Sequence, residues 1–108
     1  MYNEKPERIT YGMENKMAEI IRKHITFYGY LQGVGFRFRA RHAAENIGAT
    51  GWVKNEYDGS VSMEIQGSQE QIDKVITAIE KGPFIHIENM EQQTIPIEPG
   101  EHYFITKG

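Results

Sequence analysis

Residues 32–37, which read Gln-Gly-Val-Gly-Phe-Arg, combine residue types that could bind an anion. Gly33 and Gly35 allow left-handed backbone angles, so several amides of this loop can point toward one centre. A helix is predicted to begin near Phe36, and its N-terminus would add unpaired N–H groups and the positive end of a helix dipole. Arg37 would add a planar guanidinium that binds two oxygens of one phosphate or carboxylate. The predicted ligand contacts are the Arg37 side chain and the loop at Gln32, Gly33, Val34, Gly35 and Phe36.

A simpler interpretation of the same segment is a glycine turn followed by a surface arginine. Two other phosphate-binding loops are excluded, because Phe38 stands where a dinucleotide-binding loop has its third glycine and no Gly-Lys-Ser/Thr follows as in a Walker loop. Arg37, Arg39, Arg41 and His42 form a basic cluster. Taken individually, Arg39 and Arg41 are expected on a solvated helix face.

The chain as a whole is mildly acidic, with 12 Lys and Arg residues, 15 Asp and Glu residues and a formal net charge of -3. This balance argues against a general nucleic-acid binder, which relies on neutralising phosphates. No apolar run approaches the roughly 20 residues that span a bilayer. We therefore expect a monomer that binds a discrete small anion, with no nucleic-acid or membrane partner.

The remaining chemistry-bearing residues predict neither a metal site nor a cofactor. Cysteine is absent, which excludes disulfides, thiolate metal sites and cysteine nucleophiles, and favours a cytoplasmic location. Asp58 lies in a turn sequence and Asp73 among helix-forming polar residues, so neither resembles a phosphorylated aspartate or half of a two-metal site. The histidines show no ligand spacing and are expected to be isolated; they are His24, His42, His86 and His102.

The elements that must position the loop follow from the apolar pattern. At 108 residues there is room for one domain, predicted over residues 20–108 after an N-terminal extension of uncertain order over residues 1–19. A strand is predicted from Ile20 to Tyr30, and a helix from Phe36 to a glycine cap at Gly48. The apolar stripe of that helix is Phe36, Ala40, Ala43, Ala44 and Ile47.

The second half of the chain is also predicted to contain strands and a helix. A hairpin is predicted from a strand over 50–55, a turn at 57–59 and alternating apolar residues over 61–65. Ser68 and Gln71 resemble a capping box, and Gly82-Pro83 ends the helix that follows. Further strands are predicted over 85–93 and 103–105. The order β-α-β-β-α-β with a short terminal fifth strand predicts a ferredoxin-like α/β sandwich of the α+β class, with two helices on one face of a mostly antiparallel sheet.

Three motifs at this spacing resemble the acylphosphatase family. They are GYLQGVGFR over 29–37, GWVKN over 51–55 and DGSV over 58–61. Leu31 stands where the family usually has valine, a harmless change at a strand end. The resemblance runs from about His24 to Pro83 and more weakly to Ile105. It implies metal-free hydrolysis of acyl phosphates to a carboxylate and inorganic phosphate without a phospho-enzyme, with Arg37 and Asn55 as the catalytic residues.

The residue chemistry agrees with that implication. Phosphoryl transfer spreads charge over the equatorial oxygens, which the loop amides and Arg37 are suited to stabilise. Asn55 could both accept from and donate to a water and hold it in line; taken alone it is more typical of a hairpin turn, but Arg37 upstream and the family resemblance favour the functional role. Asparagine is a poor base, so a phosphate oxygen of the substrate is the expected proton acceptor. Trp52 is expected to pack in the core, and Phe36 and Phe38 near the loop.

Two other functions remain open at this point. A ferredoxin-like sheet can serve as a non-catalytic binding module for RNA or as a small-molecule regulatory domain, and Phe27, Tyr28 and Tyr30 form an aromatic cluster. The RNA-binding consensus is absent, and the net charge is unfavourable. The acylphosphatase-like domain of carbamoyl-transferring maturation proteins would keep the loop and change the chemistry. The missing cysteines and the absence of attached domains disfavour it.

Overall fold

A computed structural model describes residues 19–108, and the elements in this part of the chain follow the order predicted from the sequence. They are β1 (Ile21–Tyr30), α1 (Phe36–Ile47), β2 (Thr50–Asn55), β3 (Val61–Gly67), α2 (Gln69–Glu80), β4 (His86–Ile95) and β5 (Phe104–Lys107). The predicted extension over residues 1–19 lies, apart from its last residue, outside the described residues. Neither helix in residues 19–108 is long and apolar enough to cross a bilayer.

The strands form one five-stranded sheet in the order β4-β1-β3-β2-β5. β1 pairs antiparallel with β3 and β4, and β2 pairs antiparallel with β3. β5 lies parallel to β2 at the other edge, with Gly51 opposite Phe104 and Lys54 opposite Lys107. The mixed, mostly antiparallel sheet with two helices is the ferredoxin-like α+β fold, so the predicted fold is confirmed.

Local sequence signals explain where both helices begin and end. α1 follows Gly35, which has left-handed angles and no side-chain cap, and it ends at Gly48, whose N–H donates to the Ala44 carbonyl. α2 has the predicted capping box, because the Ser68 hydroxyl accepts from the Gln71 amide and the Gln71 side chain accepts from the Ser68 amide. Each helix buries an apolar stripe in the core, as its period of 3.6 residues requires.

The core lies between the helices and one face of the sheet. Ile25, Val53 and Met63 are fully buried there, each in the middle of a strand. The strand neighbours that alternate with them form the opposite face, which we call the open face. Trp52 lies on the open face, half-buried, with Lys107 Nζ 4.3 Å from its ring centroid, so the prediction of Trp52 in the core was wrong.

Three strands have ends that differ from the prediction by one or two residues. β1 begins at Ile21 instead of Ile20, and β4 runs from 86 to 95 because its ladder with β1 continues until Ile95 lies opposite Arg22. β5 covers 104–107 instead of 103–105. Its pairing with β2 reaches Lys107, and this longer strand brings the Lys107 carbonyl to the loop after β1.

Candidate active site

The loop between β1 and α1 has the backbone conformation that its glycines predict. Gly33 has φ 78° and Gly35 has φ 84°, values that L side chains rarely adopt. The first helical hydrogen bond is donated by the Arg39 amide to the Gly35 carbonyl at 2.9 Å. Within residues 19–108, no amide of residues 32–38 donates to a backbone carbonyl. The loop therefore leaves a series of N–H groups unpaired beside the N-terminus of α1.

This loop forms one side of a pocket of about 370 Å³. The lining includes five residues that the sequence singled out, and they are Gly33, Gly35, Phe36, Arg37 and Asn55. Gln32 and Val34, which were also predicted to contact the ligand, do not line it. The fold thus brings the strand-end asparagine of β2 next to the loop that follows β1.

Arg37 is oriented toward this pocket by a contact that local sequence patterns do not reveal. Its Nη1 donates to the Lys107 backbone carbonyl at 3.2 Å, across 70 residues of sequence. β5 supplies that carbonyl because it runs parallel to β2 along the sheet edge. A neutral carbonyl orients the guanidinium without cancelling its charge, so the positive charge stays available for an anion.

Asn55 ends β2 and contributes the one unpaired acceptor among the described buried side chains. Its Oδ1 is buried and has no hydrogen-bond partner. A buried polar atom without a partner is destabilising, commonly by 1–3 kcal/mol as an order of magnitude, so such an atom indicates a missing donor. A water molecule next to the pocket would supply one. The alternative of a simple turn residue does not explain why this oxygen is left buried and unpaired.

The Gln32 side chain makes two hydrogen bonds that the sequence did not predict. Its Nε2 donates to the carbonyls of Glu56 at 2.8 Å and Ser60 at 3.0 Å. These bonds connect the 32–37 loop to the β2–β3 hairpin directly after Asn55. The turn is also held by Asp58, whose Oδ1 accepts from the Ser60 hydroxyl at 2.6 Å and from the Ser60 amide at 3.0 Å, and these bonds lower the pKa of Asp58.

The two phenylalanines at the start of α1 lie in different environments. Phe36 is 1% exposed and packs edge-on against Phe27, with centroids 5.0 Å apart, so it anchors the loop in the core. Phe38 is 69% exposed, lines the pocket and stacks on His42, with ring centroids 5.9 Å apart and an interplanar angle of 13°. Both side chains therefore lie near the loop, as predicted, but only Phe36 is part of the core.

The two other arginines of α1 also differ from each other. Arg39 Nη1 donates to the Ala78 carbonyl at 3.0 Å and so connects α1 to α2. Arg41 is exposed, and it lines the pocket together with Arg37. The expectation that both arginines are part of a merely solvated helix face was therefore incomplete.

A second group of charges lies on the open face, around Arg22. This side chain is only 2% exposed, and its Nε donates to Glu64 at 3.1 Å while its Nη1 donates to Glu101 at 2.8 Å and to Gln66 at 3.2 Å. His24 Nδ1 lies 2.9 Å from the second oxygen of Glu64, so the expectation of an isolated His24 was wrong. Burial by itself would raise the pKa of Glu64, but the hydrogen bonds from His24 and Arg22 outweigh it and lower that pKa.

The part of the chain that the structure describes contains no group of three or more His, Asp or Glu side chains arranged to hold a metal ion. In the open-face group, the acidic oxygens instead accept hydrogen bonds from Arg22 and lie beside His24. The catalytic candidates are therefore the unpaired amides, the Arg37 guanidinium and the Asn55 carboxamide.

The chain is similar to proteins of one family along most of its length. The family model described as Acylphosphatase matches residues 23–106. The chain is 42% identical over 66 residues to the acylphosphatase of Bifidobacterium longum, covering 61% of this chain and 68% of that protein. It is 38% identical over 84 residues to the acylphosphatase of Geobacillus thermodenitrificans, covering 77% and 89%. The crystal structure of the Bacillus subtilis acylphosphatase superposes with a TM-score of 0.75 at 28% identity, covering 82% of this chain and 99% of that one.

Proposed function

The chain belongs to the acylphosphatase family and is an acyl phosphate hydrolase, and we propose that the hydrolysis takes place in the pocket between the 32–37 loop and Asn55. The substrate is a mixed anhydride of a carboxylic acid and phosphoric acid. The single observation that carries the assignment of the site is the convergence of unpaired groups there. Loop amides and a guanidinium lie on one side, and a buried unpaired acceptor lies on the other.

The loop binds the phosphoryl group. Amides of residues 32–37 donate to its oxygens, and the N-terminus of α1 adds the positive end of its dipole. Arg37 binds two of the oxygens with its planar fork, held in direction by the Lys107 carbonyl. Charge builds on these oxygens as the phosphoryl group is transferred, so donors already fixed in place stabilise the transition state without reorganising.

Asn55 positions the attacking water. Its Oδ1 accepts a hydrogen bond from the water, which gives this buried oxygen its missing partner and orients a lone pair toward phosphorus. Gln32 fixes the position of Asn55 relative to the loop, because its side chain donates hydrogen bonds to the hairpin on which Asn55 lies. Gln32 therefore contacts the phosphate through its backbone only, and its side chain is a positioning group.

The chemical step is an in-line displacement at phosphorus. The water oxygen forms a bond to phosphorus while the bond from phosphorus to the acyl oxygen breaks, and that electron pair leaves with the carboxylate. One water proton passes to a phosphoryl oxygen of the substrate, and the other stays on the new hydroxyl of the phosphate. The carboxylate is a good leaving group, so no protein base and no metal ion takes part in this mechanism.

Several finer properties belong to the same proposal. Residues 20–108 form the catalytic domain, which agrees with the family match over residues 23–106, and residues 1–19 are an extension to it. The absence of cysteine supports a cytoplasmic location, and the net charge of -3 supports a small-molecule substrate over nucleic acid. The loop, Arg37 and Asn55 belong to one chain, so the proposed mechanism requires no second copy, and we propose that the protein acts as a monomer.

The direct test is phosphate release from benzoyl phosphate, compared with its spontaneous hydrolysis in the same buffer. We expect saturable hydrolysis, inhibited competitively by inorganic phosphate and retained after dialysis against a strong chelator. Release no faster than the blank would overturn the proposal. Activity that disappears with the chelator and returns with one divalent ion would overturn its metal-free step. A parallel RNA titration tests the binding-module alternative, which predicts RNA binding without phosphate release.

A further inference from the structure

The catalytic pocket continues beyond the phosphate-binding loop along the first turn of α1. Phe38 and Arg41 line this part of it, and neither is needed to bind the phosphoryl group. Building on the proposed function, we propose that the enzyme prefers acyl phosphates whose acyl group carries a second anionic group, which Arg41 binds. The phosphoryl end is bound by the loop and Arg37, so the acyl end is the part of the substrate left to reach Arg41.

The charge of the pocket supports an anionic acyl group. Among residues 19–108, its ionisable lining residues are Arg37 and Arg41, and no Asp or Glu in this range lines it. The pocket on the open face, in contrast, is lined by Glu64, Glu98 and Glu101 as well as by two cations. The dianionic phosphoryl group can be stabilised by Arg37 and the loop amides, which leaves the Arg41 guanidinium as a second positive charge in the pocket.

Arg41 is available for a ligand because its existing partner is weakly bound. Its Nε lies 3.8 Å from Glu45 Oε2, beyond hydrogen-bond distance, and the two side chains are 48% and 56% exposed. Such surface pairs contribute little free energy and exchange readily for another anion. Arg39 is different, because its guanidinium is already bonded to the Ala78 carbonyl.

The spacing along the helix places the two charges at a suitable separation. Residues four apart lie on one helix face, with their Cβ atoms on the order of 5–6 Å apart. Arg37 and Arg41 have this relation, so a phosphoryl group at one and an acyl substituent at the other would bridge a single helical turn. Phe38 adds an exposed ring, stacked on His42, against which a flat or apolar acyl body can lie.

Two substrates that differ only at the distal end of the acyl group test this proposal. Benzoyl phosphate and 4-carboxybenzoyl phosphate contain the same anhydride, and the second carries a para-carboxylate. The measured quantity is the ratio of their kcat/KM values, after each is divided by its spontaneous hydrolysis rate. We expect a ratio of roughly ten in favour of the carboxylated substrate, as for one charge-assisted contact at a partly exposed site. The ratio should decrease as ionic strength rises.

Arg41→Gln and Lys74→Gln make a matched pair of variants. Lys74 also belongs to an exposed i,i+4 ion pair, with Glu70 at 3.3 Å, but it lies on α2 outside the catalytic pocket. We expect the ratio to fall to about one in Arg41→Gln and to stay at the wild-type value in Lys74→Gln. Equal ratios in Arg41→Gln and the wild type, or a wild-type ratio of one, would overturn the proposal. If the wild type hydrolysed neither substrate, the proposed function itself would fail, which is a distinct result.

Discussion

Arg22 and Arg37 are both directed into the folded domain, but one lies on the open face and the other in the catalytic pocket. Arg22 is almost completely buried, and it donates to two carboxylates and one amide oxygen. Arg37 is half-buried, and its protein partner is one backbone carbonyl. The first guanidinium has its charge neutralised by fixed partners. The second is oriented but not neutralised.

We propose that this difference separates a structural charge, Arg22, from a catalytic one, Arg37. Removing a neutralised, buried charge leaves its partners uncompensated, so the cost falls on folding. Removing an oriented but free charge takes away a contact that forms only when a ligand is bound, so the cost falls on rate. We therefore expect a substitution of Arg22 to lower the stability of the fold, and a substitution of Arg37 to lower the rate of hydrolysis.

Arg37→Lys should give the largest effect. The change keeps the positive charge and removes the planar fork, so kcat/KM on benzoyl phosphate should fall on the order of 10²–10³-fold, as for the loss of one preorganised donor. Inhibition by inorganic phosphate should weaken as well, while the free energy of unfolding stays close to wild type. Arg39→Lys, outside the pocket, is the control for charge and folding. Equally small rate effects in both variants would show that Arg37 is only part of a basic helix.

Asn55→Ala should follow, with a loss of kcat of roughly 10²-fold because the water is no longer held in line. Inhibition by inorganic phosphate should be retained, since the loop and Arg37 are intact. Stability should not decrease through a lost hydrogen bond, because Oδ1 has none in the structure. A folded Asn55→Ala protein with near-normal kcat would reassign this residue to the turn.

Arg22→Met should lower stability and leave the rate nearly unchanged, which is the opposite of the result expected for Arg37→Lys. Unfolding in urea should show a loss of about 2 kcal/mol, less than the 3–5 kcal/mol typical of a fully buried pair, because Glu64 and Glu101 are each about a fifth exposed. The value of kcat/KM per folded molecule should stay within a few-fold of wild type. Lys23→Met on the same strand is the matched control, and a change within about 0.5 kcal/mol is expected there. A rate loss without a stability loss in Arg22→Met would contradict the structural role that we assign to Arg22.

The smallest effect concerns pH. The pKa of Glu64 is lowered in the folded state, so its stabilising contribution is complete above the unfolded pKa of about 4.3 and is lost as pH falls through the lower folded value. The free energy of unfolding should decrease from about pH 5 downward, by less than roughly 1 kcal/mol from this part-exposed group. Glu64→Gln should flatten that slope. An unchanged slope between pH 5 and 3 would show that the ion pair does not influence folding.

The parts of the fold that sequence predicted are those fixed by neighbours along the chain. The Ser68 capping box and the Gly48 cap depend on residues three or four positions away, and both are confirmed. The prediction of Trp52 in the core failed, although alternation with the buried Val53 was the signal that could have placed its ring on the open face. The prediction had relied only on the size and aromatic character of the Trp52 side chain.

In the candidate site, too, the sequence predicted local features but not contacts between distant residues. The backbone conformation of the 32–37 loop could be predicted from its glycines, because a left-handed turn before a helix is a local property. The bonds of Gln32 to the hairpin span 24 and 28 residues, and no local pattern predicts them. The position of Arg41 in the pocket was not predicted, because helical spacing shows which residues share a face but not what that face borders.

The parallel pairing of β5 with β2 has a consequence for protein synthesis. The Lys107 carbonyl that orients Arg37 is added 70 residues later than Arg37 itself, which at typical elongation rates is on the order of 4–14 s. During that interval the nascent chain can already form the loop, but its guanidinium has no carbonyl to direct it. If the proposed role of Arg37 holds, we expect full activity only after β5 joins the sheet, because a nascent chain without β5 lacks the carbonyl that orients Arg37.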